Sequence, residues 1–75
     1  MEQVWANLHA FLTLRQWQRD LLKEDYINMT DTTIDKTTHV VQMRHRVNGN
    51  WIVLKVKGNH VQLFKNRSLI KMITF

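Results

Sequence analysis

Cysteine and proline are absent from the 75 residues, glycine occurs twice and serine only once. Without cysteine there is no disulfide and no thiolate metal site, and the redox compartment is left open. The single serine, Ser68, lacks a Gly-x-Ser-x-Gly surround, so the usual setting of a serine nucleophile is missing. No apolar run approaches the ~18–20 residues of a membrane span. The N-terminus has no basic start followed by an unbroken apolar stretch, so no signal peptide is read there. These absences lead to the expectation of a cytoplasmic protein without a transmembrane segment.

Acidic residues are missing from the whole second half. Residues 1–35 carry all six acids and three bases, a charge of −3, whereas residues 36–75 carry eight bases and no acid, a charge of +8. Such polarity fits a surface for nucleic acid or another polyanion. It also fits an acidic helix lying beside a basic sheet and neutralising part of it. A chain this short makes one domain, 1–75, and buries only ~60–65% of the surface it exposes when unfolded.

Glycine and proline are also missing from residues 2–24, which are rich in helix formers. Two apolar stripes recur at helical spacing: Val4, Leu8, Phe11 and Leu12, then Leu14, Trp17 and Leu21. At ~100° per residue the stripes point to nearly opposite sides of one straight helix. Either the helix breaks near Thr13, where Thr13-Leu14-Arg15-Gln16 fits a capping box, or it continues and presents one stripe elsewhere. Residues 25–38 read as a polar, threonine-rich connection in which Ile27 and Met29 could form a short edge strand.

The two glycines sit in turns. Asn48-Gly49 is a strong type I′ hairpin signal, Gly58-Asn59 is a second two-residue turn and Asn66-Arg67 a weaker third. A two-residue loop at each sets Arg44 opposite Val53, Leu54 opposite Leu63, and Leu63 opposite Ile70. The three registers agree on one apolar face: Val41, Met43, Ile52, Leu54, Val56, Val61, Leu63, Ile70 and Met72. The fold class is therefore α+β: an N-terminal helix (1–24), a polar connection (25–38) and a four-stranded antiparallel meander (39–75).

The opposite face would hold Gln42, Arg44, Arg46, Trp51, Val53, Lys55, Lys57, His60, Gln62, Phe64, Leu69, Lys71, Ile73 and Phe75. A solvated face is normally more uniformly polar, and apolar groups collected there mark contact with something. Three occupants are sensible: single-stranded nucleic acid, with bases on the aromatic rings and phosphates on the basic groups; a second copy of the chain; or the first apolar stripe of the chain's own helix. The candidate binding residues are Arg44, Arg46, Trp51, Lys55, Lys57, Phe64 and Lys71.

No catalytic residues, metal or cofactor are expected. The four histidines are His9, His39, His45 and His60. His39 and His45, six residues apart on one strand, stand ~20 Å from each other, too far to share a metal. A ribonuclease with His60 as general base is the enzymatic alternative. No motif ties the chain to a family. In layout alone, helix first and meander second, it resembles the globular head of pilin-like proteins, which implies an assembly or oligomerisation role for the same face. The leading expectation is a small non-catalytic nucleic-acid-binding module, possible as a homo-oligomer.

Overall fold

The computed structural model describes residues 8–75. They form one helix, α1 (Leu8–Leu22), and five strands, β1 (Tyr26–Asp35), β2 (Thr38–His45), β3 (Trp51–Lys57), β4 (His60–Lys65) and β5 (Ser68–Thr74). The strands make a single antiparallel sheet in chain order. The α+β arrangement is as expected, with five strands in place of four.

Helix α1 runs through Thr13 without a break, so the capping-box residues there start no second helix. Ala10, Leu14, Trp17 and Gln18 are buried against the sheet, with Leu21 at the margin. The second stripe is therefore the core stripe. A straight helix on one sheet can bury only one side. Of the first stripe, Phe11 is half-buried, while Leu8 and Leu12 are 40% and 53% exposed; Val4 lies outside the described residues. Asp25 ends the helical segment in a left-handed conformation (φ 69°). Its carbonyl accepts the Arg46 N–H at 2.9 Å, which ties the end of the helix to the β2–β3 loop.

The sheet contributes Val41, Met43, Ile52, Leu54, Val56, Val61 and Leu63 to the core, together with Tyr26 at the start of β1. Each alternate residue of β3 is buried: Ile52, Leu54 and Val56. Fully burying a side chain of this size stabilises by roughly 1.5–3 kcal/mol.

The polar connection at 25–38 proves to be mostly strand, with β1 occupying Tyr26–Asp35. Bulges at Met29 and Ile34 break its two-residue period. Its residues facing the helix are largely polar. Asn28 accepts from Gln18 at 2.9 Å. Asp31 accepts from Arg15 at 2.6 Å and from His39 Nε2, and Thr33 meets His39 Nδ1 at 2.8 Å. Arg15 also donates to Gln18 at 2.6 Å. Beyond the buried Tyr26, this polar clamp fastens α1 to the β1 edge.

The turns differ in one instructive way. Gly58-Asn59 gives the expected register, with Leu54 opposite Leu63 and Val53 opposite Phe64. Asn48-Gly49 does not close a two-residue loop. His45 bonds to Asn50 across residues 46–49, and Arg44 lies opposite Trp51 where Val53 was expected. The cause is the His45 side chain, whose Nδ1 accepts the N–H groups of Val47 and Asn48 at 3.1 and 3.2 Å. Because the slip is two residues, every side chain keeps its face. In β5 the turn is as expected, with Asn66 and Arg67 both at positive φ, but the register shifts by one between Leu69 and Lys71. Leu63 therefore faces Lys71, not Ile70, and Val61 faces Ile73, not Met72. Ile70 and Met72 are 57% and 51% exposed and leave the predicted core.

Two measurements test this account. Leu54→Ala in the central strand is expected to cost about 2–5 kcal/mol, read as a lower urea midpoint. Arg15, through its hydrogen bond, and His39 hold the Asp31 carboxyl below its usual range. Its contribution is therefore complete above the unfolded carboxylate pKa of about 4 and is lost as pH falls through the lowered folded value. Asp31→Asn is expected to cost about 1 kcal/mol or less at neutral pH, since the pair is partly exposed. It should also flatten the fall in stability between neutral and acid pH.

Candidate functional site on the outer sheet face

The strand registers lay out the face turned away from α1 as rows crossing the sheet. The first row is Ile27, Arg44 and Trp51. The second is Thr30, Gln42, Val53, Phe64 and Leu69. The third is Thr32, Val40, Lys55, Gln62 and Met72. The fourth is Asp35, Thr38, Lys57, His60 and Thr74, and carries an acid at its β1 end. Trp51, Val53, Lys55, Gln62 and Phe64 are half-buried, held by their row neighbours and open above. None of the residues in the first three rows is acidic. An apolar strip of Trp51, Val53, Phe64 and Leu69 is thus bordered by Arg44 at one end and by Lys55 and Lys57 towards the other.

Arg44 and Trp51 are cross-strand partners, and the Arg44 guanidinium carbon lies 4.7 Å from the Trp51 ring centre. Together with Asn66 and Arg67 they line an open depression of about 500 Å³ at the end of the sheet where β4 turns into β5. Asn66 fixes this corner through the Trp51 backbone. Its N–H donates to the Trp51 carbonyl at 2.8 Å, and its Oδ1 accepts the Trp51 N–H at 2.9 Å. Its Nδ2 reaches Asn50 Oδ1 at 3.3 Å.

Of the candidate binding residues, Arg44, Trp51, Lys55, Lys57 and Phe64 share this face. Arg46 does not; it belongs to the β2–β3 loop. Lys71 also does not. The β5 bulge turns it to the helix side, where its Nζ lies 4.7 Å from the Trp17 ring centre. Ile73 moves with it, and Phe75 stacks on His9 at 6.2 Å. Sequence reasoning missed Asn66 and Arg67 as site residues. The available signal was an Asn-Arg pair at turn positions that favour glycine.

A second polar constellation lies on the helix side. Thr33, His39 and Asp31 form a hydroxyl–imidazole–carboxylate chain. Arg15 holds the other Asp31 oxygen and comes within 3.4 Å of His39 Nε2, and the Phe11 ring meets His39 edge-on at 5.5 Å. With its carboxylate neutralised and its imidazole wedged, the chain works as the clamp described above. His60 Nδ1 is engaged by Thr74 Oγ1 at 2.9 Å. Among the described residues no three His, Asp or Glu side chains come together as metal ligands, and no helix is long and apolar enough to cross a membrane.

No family model matches the chain, and no curated protein or solved structure is significantly similar to it.

The relocation of Lys71 has a direct check. Lys71→Ala removes a cation–π contact to a buried indole and should lower stability by about 0.5–1 kcal/mol. The readout is denaturant unfolding followed by tryptophan emission.

Proposed function

We propose that this protein is a small non-catalytic module that binds single-stranded nucleic acid on the outer face of its sheet. One observation carries the reading: Trp51, Val53, Phe64 and Leu69 form a continuous apolar strip, flanked by Arg44, Lys55 and Lys57, with no carboxylate in the three rows that contain it. Bases stack on Trp51 and Phe64, each such contact contributing about 1–3 kcal/mol. The basic groups neutralise phosphates. The helix lies on the opposite face of the sheet, so no recognition helix is presented on this side, and the binding is weakly dependent on sequence.

A second reading is assembly through the same face. It is favoured by the edge strand β5, where Leu69, Ile70 and Met72 are each about half exposed, at 48%, 57% and 51%. Contact between copies would bury the apolar strip and leave the lysines at the rim. Sedimentation at several protein concentrations separates the readings: a stable oligomer that fails to bind a strand favours assembly.

The leading reading is tested by anisotropy of a labelled oligothymidylate titrated with protein at several salt concentrations. Three engaged basic side chains predict a slope of about −2 in log K against log salt for a single strand. Phe64→Ala is expected to weaken binding by roughly tenfold, as loss of one stacking platform requires. Absence of binding at low salt refutes the proposal.

A further inference from the structure

The β4–β5 turn contains an oddity that the fold itself does not require. Asn66 and Arg67 have φ of 50° and 74°. Asparagine tolerates this left-handed region, but an arginine there is uncommon, and glycine is the residue favoured at the second position of such a turn. In the β2–β3 and β3–β4 connections the left-handed residue is instead a glycine, Gly49 at φ 77° and Gly58 at φ 59°. Only this turn places a long cationic side chain in the costly conformation. It is also the turn that borders the depression shared by Arg44, Trp51 and Asn66. Strained backbone of this kind is found where function needs a side chain aimed in a particular direction.

We infer that this corner is a phosphate-binding subsite, in which Arg67 and Arg44 together hold one phosphate group of a bound strand. The inference rests on the nucleic-acid reading of the outer face and deepens it. The Arg44 guanidinium is held over the Trp51 ring. Contact with the ring face leaves the edges of a guanidinium free, and its N–H groups match phosphate oxygens. Arg67, which lines the same depression, supplies the second cation. Asn66, bonded to both the N–H and the carbonyl of Trp51, sets the spacing between the walls and is a positioning residue. No acidic side chain lines the depression. A base adjoining the held phosphate lies next to Trp51, at the start of the strip that continues through Val53 and Phe64.

The test uses one substitution with opposite effects on folding and binding. Arg67→Gly relieves the turn, so the melting temperature is expected to stay level or rise by about 4 °C. The same variant should bind oligothymidylate roughly five- to tenfold more weakly at low salt. Its salt slope should fall by no more than one phosphate's share, about 0.7, since Arg44 remains on the same phosphate. Lys36→Ala, which removes one positive charge from the β1–β2 turn, serves as the charge control and should weaken binding by less than twofold. Inorganic phosphate is titrated as a competitor. Displacement of the strand from the wild type at millimolar phosphate, beyond that caused by chloride of equal ionic strength, indicates a site that also takes free phosphate. Its absence restricts the subsite to phosphates presented by a strand. Arg67→Gly protein that binds as tightly as the wild type, or no more weakly than Lys36→Ala, overturns the subsite while leaving the outer-face reading intact. A wild type that binds no strand at all overturns the outer-face reading itself.

Discussion

Side chains along a strand alternate between two faces, and in β3 that alternation sorts chemistry as well as polarity. Ile52, Leu54 and Val56 go to the core while Trp51, Val53 and Lys55 go to the other side. Because β3 is the middle strand of five, its phase is passed through hydrogen bonds to β2 and β4. Arg44, Gln42, Phe64 and Gln62 are placed as a result. A one-residue slip in β3 would bury the indole of Trp51 and the lysine stem of Lys55 and expose the three residues on which α1 rests. The core and the candidate interface are two consequences of a single constraint.

The two edges of the sheet are managed differently. On one side β1 has two bulges and presents mostly polar groups, with the clamp to Arg15 and Gln18 on its inner side. On the other side β5 has one bulge and is exposed along its whole length. Bulges twist an edge away from further pairing. The helix is fastened to the sheet by unlike means: apolar contact over β3 and β4, charge and hydrogen bonds over β1. The Lys71–Trp17 contact adds a link to β5.

Much of this was legible in the sequence, and the failures have physical reasons. The Gly58-Asn59 hairpin follows from residue type alone. At Asn48-Gly49 the reading was wrong by two residues, because a histidine that caps a wider loop looks no different in sequence from one at the rim of a core. The faces survived only because two is the period of a strand. In β5 the error was one residue, and there the faces did not survive. Lys71 changed sides, and nothing in Ser-Leu-Ile-Lys-Met-Ile-Thr announces a bulge at Ile70. Strand β1 was read as a connection because its inward residues, Asn28, Asp31 and Thr33, are polar and find their partners in α1 and β2. Hydrophobic periodicity cannot report a strand whose buried side is satisfied by hydrogen bonds. Arg67 was passed over because turn residues are usually considered for shape and seldom for charge.

The polar clamp also means that the two long sides of the helix are not equally durable. Strong acid, below the lowered Asp31 pKa, neutralises that carboxylate and loosens the seam along β1, whereas the apolar contacts over the middle strands feel no change. Strand β1 stays paired with β2 from Tyr26 to Asp35 and keeps Tyr26 in the core, so what weakens is the grip of the helix on this border strand. The first loss on acidification is therefore local, along one flank of the helix, well before the core comes apart.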